Sequence, residues 1–392
     1  MRAGARSDAP RVLAIADVAQ SYVAAWRVYA PLAALKRIGR IAEYVVTDAA
    51  LAGLPRRGRF DVVWLQRGVD EYLTRRLVDL MPQAFLLDID DHLLCRPEYL
   101  RPEEFPAPAP VAEALARARV VTVTSARLGR LLARRSGIDL ADRLVVCPNA
   151  TAFAPPRRQL SRPIAILLTQ GHRLALTESA EEVLTAIGDF GARHALPICY
   201  FGPRLERLSP PAARALRSVV PAGEMTLGHY HTALASLPAM LAVAPLETRG
   251  DPSTVEFVAG KSDVKMVEYG GFGHPGVYSD AAPYADSDLE CGQLAANTYE
   301  AWSIALERAW DSGWRLAGEE LATVRARREI GAVAERHWAT ALDAARNGSP
   351  VECRDIARIV DRIGARVRSA RSRAAWHLWR ARVLHSGAPR LG

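Results

Sequence analysis

Residues 119–147, RVVTVTSARLGRLLARRSGIDLADRLVVC, decide the fold class of this chain. The segment begins with a short run of β-branched residues, continues with leucines at helical spacing up to Gly137, and ends in a second apolar run. The order strand, helix, strand is typical of a β-α-β unit in a parallel sheet. The sequence therefore predicts an α/β protein, and the same pattern continues on both sides of this unit.

The alternation predicts two successive α/β units joined by a linker. Before the deciding stretch it gives a strand at 11–16, a helix at 23–39 and three further strands. Residues 148–163, PNATAFAPPRRQLSRP, have no hydrophobic period and are rich in proline and arginine, which indicates the linker. The expected elements of the second unit are strands at 163–170 and 239–246, a helix near 177–194, and long tryptophan-bearing helices over 293–345.

Length and composition agree with two domains. A chain of 392 residues, of which 49% are apolar, can bury two hydrophobic cores. The five cysteines are far apart, odd in number and without C-x-x-C spacing, which favours reduced thiols over disulfides or a zinc site. No apolar run is long enough to cross a bilayer, and the N-terminal residues do not resemble a signal peptide, so we expect a cytoplasmic protein.

The positive charge is concentrated at the C-terminus. Residues 351–392 carry ten arginines against three acidic residues, so seven of the eight net positive charges lie there. A nucleic-acid-binding protein would carry a basic face on its body, and we therefore expect no nucleic acid partner. The spacing of the arginines, with Trp376 and Trp379, is typical of a basic helix, which either packs on its own protein or lies on an anionic membrane.

The segment 260–276, GKSDVKMVEYGGFGHPG, is the first candidate site. Ser262 or Asp263 is expected to cap a helix whose free N–H groups and positive dipole end favour a phosphate. Lys261, Lys265 and Glu268 are spaced to lie on one side of that helix, where lysines can neutralise a diphosphate and a carboxylate can accept ribose hydroxyls. The alternative is a surface helix with an ordinary Lys–Glu pair.

Two further candidates follow predicted strands. The segment DIDDH, 88–92, comes directly after an apolar strand, and carboxylates at that edge face the ligand crevice of an open sheet. In TQGHR, 169–173, Gly171 permits a close backbone approach, and His172 or Arg173 can contact a phosphate. Each segment is equally explained as a polar loop or turn, and His92 alone is more often structural.

Several catalytic motifs are absent from the sequence. It contains no G-x-G-x-x-G after the first strand, no P-loop, no H-E-x-x-H and no G-x-S-x-G. Their absence argues against nicotinamide oxidoreductases, P-loop NTPases, zincins and serine hydrolases.

Taken together, these segments resemble a bacterial glycosyltransferase of the retaining group-1 type. The resemblance runs from about residue 11 to 345 and depends most on K-S-x-x-K-x-x-E-Y followed by a glycine-containing turn, P-x-V-x-S and P-Y. It implies the GT-B architecture, in which two Rossmann-like domains face each other across a cleft. The implied division is an acceptor-side domain at 1–150, a linker at 151–163, a nucleotide-sugar-binding domain at 164–330, and C-terminal helices with a basic tail at 331–392.

The resemblance also implies roles for individual residues. Glu268 would bind the donor ribose, Ser262 and Lys265 would line the diphosphate, and the loop at Gly171 and His172 would close over it. The remaining implied residues are Asp90, Asp91 and Lys261 at the reacting sugar, and Arg27 and Asp88 on the acceptor side. The implied donor is a UDP- or GDP-sugar, no metal is required, and the acceptor is a glycan or a lipid-linked saccharide. One position departs from the family: Gly260 stands where many members have a second glutamate.

Two other functions compete with this interpretation. In a metal-dependent transferase, Asp88 and Asp90 would form a D-x-D ligand pair. In a non-catalytic protein that binds a nucleotide or sugar, the basic tail would recruit the chain to nucleic acid, with a steep salt dependence.

Overall fold

The computed structural model describes most of the chain. The residues described are 9–16, 22–48, 59–67, 85–152, 162–170, 176–202, 219–221, 227–346 and 351–352. Gly171, His172, most of the expected linker and the basic tail from residue 353 onward lie outside them.

The first sheet has six parallel strands in the order β2-β1-β4-β5-β6-β7. Its strands are β1 (Arg11–Ala16), β2 (Glu43–Asp48), β4 (Val62–Gln66), β5 (Phe85–Ile89), β6 (Val120–Val123) and β7 (Leu144–Val146). A separate antiparallel pair joins β3 (Arg59–Phe60) to β14 (Val351–Glu352), so the start of the predicted tail lies against the first domain.

The second sheet repeats the same architecture, with six parallel strands in the order β10-β9-β8-β11-β12-β13. Its strands are β8 (Ile166–Thr169), β9 (Ile198–Phe201), β10 (Val219–Pro221), β11 (Leu241–Ala244), β12 (Gly276–Ser279) and β13 (Gln293–Ala295). The predicted α/β class with two parallel sheets is therefore confirmed. The expectation of helix from residue 293 onward was wrong, because β13 forms the edge of this sheet before the long helix begins at Tyr299.

Helices cover the faces of both sheets, as parallel sheets require. The helices of the first domain are α1 (Tyr22–Ala24, a π-helical turn Ala25–Tyr29, and Ala30–Arg37), α2 (Pro108–Arg117) and α3 (Ala126–Ser136). Those of the second domain are α4 (Ala180–Arg193), α5 (Leu227–Ser236), α6 (Pro252–Ala259), α7 (Val264–Gly271), α8 (Ala282–Ala285) and α9 (Tyr299–Arg328, kinked at Gly313). The last helix, α10, comprises Ile330–Val333, a π-helical turn Ala334–Trp338, and Ala339–Arg346.

Helix α10 returns to the first domain and completes its core. Trp338 stacks on Trp64 of β4 with ring centroids 4.4 Å apart, and both side chains are buried. Ile330 and Val333 join the same apolar cluster as β1. The chain therefore crosses between the domains twice, which ties the C-terminal helices to the N-terminal sheet. None of the described helices is long and apolar enough to cross a membrane.

Glu320 of α9 is a buried carboxylate in the second domain, and it makes stability depend on pH. One oxygen accepts from the Gly276 amide at 3.1 Å, and burial raises the pKa of Glu320 to about 8. The unfolded chain releases this proton near its ordinary pKa of 4.5, so the contribution of Glu320 to the free energy of unfolding is most favourable below pH 4.5 and falls as the pH rises toward 8. Between these two pKa values, each pH unit lowers the free energy of unfolding by about 1.4 kcal/mol.

We expect Glu320→Gln, which keeps the acceptor for Gly276, to be more stable than the parent chain at pH 7 by about 2–4 kcal/mol. Urea unfolding at pH 4.5, 6 and 7.5 measures this, and the difference should shrink as the pH falls. Asp311→Asn, at an exposed position of the same helix, is the control. If the free energy of unfolding changes equally with pH in Glu320→Gln and in the parent chain, Glu320 is ionised in the folded protein.

Candidate functional site

The carboxyl ends of the two sheets face each other across a cleft of about 650 Å³. On the first domain the cleft is lined by residues that follow β4, β5 and β7, namely Arg67, Asp90, Asp91 and Asn149. On the second domain it is lined by the ends of β8, β9 and β11 and by the start of α7. Ligands of open α/β sheets bind at this edge of the strands. The cleft is therefore the candidate active site.

Helix α7 begins at the cleft without a capping side chain. The expectation that Ser262 or Asp263 caps it was wrong. Asp263 stands at the cap position, but its carboxylate binds Arg328 at 3.0 Å and Ser287 at 2.7 Å instead. The first amides of α7 are left to an external acceptor, at the positive end of the helix dipole. This is the geometry that binds a phosphate.

Lys265 lies in the first turn of α7 and lines the cleft. Its Nζ is 2.9 Å from Glu268 Oε2, so the predicted Lys–Glu pair is present. Burial lowers the pKa of Lys265 to about 7 and raises that of Glu268, while their pairing opposes both changes. A diphosphate beside Lys265 would favour its charged form.

Glu268 is completely buried and lies behind the cleft wall. Besides Lys265, its carboxylate accepts from the Tyr230 hydroxyl at 3.3 Å and lies 3.4 Å from His231 Nε2. Burial lowers the pKa of His231 to about 4, so this imidazole is neutral at pH 7. In this structure Glu268 holds Lys265 and Tyr230 in place. Because the carboxylate is fully buried, a ribose would reach it only after neighbouring side chains moved, and the ribose role expected for Glu268 stays a prediction.

Lys261 and Ser262 precede α7 rather than lying on it, which corrects the expected common helix face. Both still line the cleft and connect the two domains. Lys261 Nζ is 3.7 Å from Asp91 Oδ1, and Ser262 Oγ accepts from Asn149 Nδ2 at 2.9 Å. The second domain therefore contributes a cation at the middle of the cleft.

Sequence reasoning missed Arg67, which organises the first-domain side of the cleft. Its guanidinium makes two bonds to Asp90, at 2.6 and 2.8 Å, and one to Asp91 at 3.0 Å. Its φ of 61° is a left-handed conformation that costs a residue with a side chain about 1 kcal/mol or more. Burial alone would raise the pKa of Asp90, but Arg67 outweighs it and the pKa is lowered. The rule that drew attention to 88–92, a charged group directly after a buried strand, would also have found Arg67.

The structure places Asp88 away from the cleft and Arg27 at its floor, and the acceptor role expected for both stays a prediction. Asp88 is fully buried, accepts from Arg27 at 2.6 and 3.1 Å and from Thr122 at 2.7 Å, and does not line the cleft. Arg27 reaches the cleft floor with 1% exposure, but its guanidinium is engaged by Asp88, by the Cys147 carbonyl at 2.6 Å and by the ring of Trp338 at 4.7 Å. The pair stabilises the junction between α1 and the sheet.

The D-x-D alternative also loses its geometric basis. Asp88 and Asp90 are each neutralised by a different arginine, which disfavours joint binding of a divalent cation. His92 is buried as well, with Nε2 3.1 Å from Glu256 Oε1, and Arg135 binds the same glutamate. Because Glu256 belongs to α6, His92 and Arg135 form a contact between the domains.

Comparisons with known proteins support the architecture. No model of a known protein family and no curated protein matches the sequence. Among solved structures, HepE from Anabaena, determined in complex with UDP and glucose, is similar with a TM-score of 0.58 and 12% identity, over 85% of this chain and 99% of that one. AviGT4, a glycosyltransferase involved in avilamycin A biosynthesis, has a TM-score of 0.53 and 16% identity, over 87% of this chain and 99% of that one.

TarM is similar over 72% of this chain, with a TM-score of 0.50 and 9% identity, and the match spans only 54% of TarM. The TM-scores show a similar fold, and at these low sequence identities the similarity extends to the fold alone. The two Rossmann-like domains that face each other across a cleft define the GT-B fold, which confirms the fold expected from the resemblance.

Proposed function

We propose that the protein is a glycosyltransferase that moves a sugar from a nucleoside diphosphate to an acceptor hydroxyl. The observation that carries this proposal is the uncapped start of α7 beside Lys265 in the cleft between two GT-B domains. The solved structures support it, since HepE binds UDP and glucose and AviGT4 is a glycosyltransferase. The donor class we propose is a UDP- or GDP-sugar.

The donor diphosphate would lie against the first amides of α7 and the Lys265 ammonium. The bond between the anomeric carbon and the diphosphate oxygen breaks, a bond to the acceptor oxygen forms, and the acceptor proton leaves with the diphosphate or a neighbouring base. Negative charge grows on the leaving diphosphate, and a fixed cation and helix dipole stabilise that charge most strongly in the transition state. Gly171 and His172 remain the proposed cover of the diphosphate.

The acceptor would enter from the first-domain side, where Asp91 lies between Arg67 and Lys261. Asp91 would receive the acceptor hydroxyl, and Asp90 would hold Arg67 in its strained conformation. By resemblance we propose retention of anomeric configuration, with the product serving glycoconjugate synthesis. Proton NMR of the newly formed product, through its anomeric coupling constant, distinguishes retention from inversion.

A thermal-shift screen tests the proposed donor class. We expect UDP or GDP, or one of their sugars, to raise the melting temperature, because a ligand at a hundred times its Kd stabilises the folded state by about 2.7 kcal/mol. The matching monophosphate and nucleoside are the controls, since they lack the second phosphate. Equal stabilisation by nucleoside and diphosphate, or none by any of these ligands, would contradict the proposal.

A further inference from the structure

One end of the cleft is an apolar wall formed by the segment that follows β5. Glu104 of this segment also lines the cleft. The remaining cleft-facing residues, together with one from the second domain, form what we call the apolar shelf: Leu93, Tyr99, Leu100, Phe105, Pro106 and Phe257. The rings of Tyr99 and Phe105 meet the Phe257 ring edge-on, with centroids 6.4 and 5.9 Å apart. The shelf therefore combines side chains of the first domain with one ring from α6 of the second.

The shelf is held in place by polar contacts on its far side. The Glu98 amide donates to Thr254 Oγ1 at 3.1 Å, and the Cys95 thiol donates to the Ser253 carbonyl at 3.4 Å. Both acceptors lie on α6. A ligand would meet a wall that is already ordered, so little conformational entropy is lost on binding.

Lys261 marks the boundary between the apolar shelf and the polar part of the cleft. Its Nζ lies 4.6 Å from the centre of the Phe257 ring and 3.7 Å from the Asp91 carboxylate. A bound molecule that spans this boundary must have a hydroxyl-bearing end at Asp91 and an apolar end on the shelf. A uniformly polar ligand would place most of its hydroxyl groups at this end against aliphatic and aromatic carbon, where they exchange hydrogen bonds to water for contacts that cannot replace them.

We infer that the acceptor is amphipathic, specifically a glycoside whose sugar hydroxyl lies at Asp91 and whose aglycone is an apolar ring on the shelf. This inference rests on the proposed function, since it names the acceptor class of that same cleft. Burial of one aromatic ring contributes about 1.5–3 kcal/mol, which corresponds to a gain of roughly tenfold to a hundredfold in affinity.

Two glucosides that differ only in the aglycone test the inference on the full chain. We expect 4-methylumbelliferyl β-D-glucoside to bind at least about tenfold more tightly than methyl β-D-glucoside in calorimetric titrations. The variants Phe105→Ala and Leu100→Asn should reduce that preference several-fold, and two positions keep the test valid if one variant does not fold. Ile304→Ala, an exposed apolar position on α9 away from the cleft, is the matched control and should keep the full preference.

Equal affinity for the two glucosides, no binding of either, or a preference that survives in both shelf variants would overturn the inference. Titration of UDP and GDP into the same samples separates this failure from failure of the proposed function. If UDP or GDP binds but the two glucosides bind equally, only the inference about the acceptor is refuted. If neither UDP nor GDP binds to the parent chain, the proposed transferase function is refuted.

Discussion

Replacing Lys265 with methionine is expected to lower turnover about a hundredfold while the chain still folds. Methionine keeps most of the length of the side chain but removes the cation that we propose to face the leaving diphosphate. The fold tolerates the change because burial already raises the pKa of Glu268, so this carboxyl takes up a proton when its partner is removed. Release of nucleoside diphosphate from the donor sugar measures turnover, and urea unfolding measures stability.

Lys36→Met is the matched control, because Lys36 is an exposed lysine on α1 that lies 5.7 Å over the Tyr44 ring and away from the cleft. It should leave turnover unchanged. Parental turnover in Lys265→Met would refute the role of Lys265, and unfolding of the variant would show that its pairing with Glu268 is mainly structural.

Replacing Arg27 with methionine is expected to reduce the free energy of unfolding by about 3–5 kcal/mol. The substitution leaves the fully buried Asp88 carboxylate without its bidentate partner and removes the donor to the Cys147 carbonyl. Burial raises the pKa of Asp88, and Arg27 opposes this rise. The variant should therefore also lose stability as the pH rises from the ordinary aspartate value of 3.8 towards the newly raised pKa, and the loss should be complete above that pKa. Urea unfolding at pH 5 and pH 8 measures both effects.

Arg315→Met provides the comparison on the surface. Arg315 and Glu319 form an exposed pair at 2.8 Å one helical turn apart, and such pairs contribute about 0.3–0.5 kcal/mol. We expect Arg27→Met to lose several times more free energy of unfolding than Arg315→Met. Similar losses for both would mean that Asp88 is well accommodated without Arg27.

The fold could be predicted from the sequence because buried parallel strands form short, continuous apolar runs. RVLAIA and the run in 119–123 form interior strands of the first sheet, where both faces are covered, and their composition reflects that burial. The edge strand β13 was missed for the converse reason. Gln293 and Leu294 are not buried, so QLA lacks the apolar signature of a central strand.

The site could be predicted only in part, because spacing along the chain does not show which charges meet in space. The segment 260–276 was expected to place Lys261, Lys265 and Glu268 at one edge of the cleft. The two lysines line the cleft and Glu268 is buried behind it, and their roles toward a donor stay predictions. The pairing of Asp88 with Arg27 joins residues 61 positions apart, and it turns an apparent ligand group into a buried structural pair. Arg67 was missed because its partners, Asp90 and Asp91, were interpreted as free carboxylates.

The central claim is that the start of α7 receives the diphosphate of an activated sugar. The most direct measurement is a crystal structure of the full chain with UDP or GDP, whichever stabilises it more. The account predicts phosphate oxygens about 3 Å from Lys265 Nζ and from the first amides of α7. A diphosphate bound elsewhere, with α7 and Lys265 in contact only with Glu268 and solvent, would contradict it.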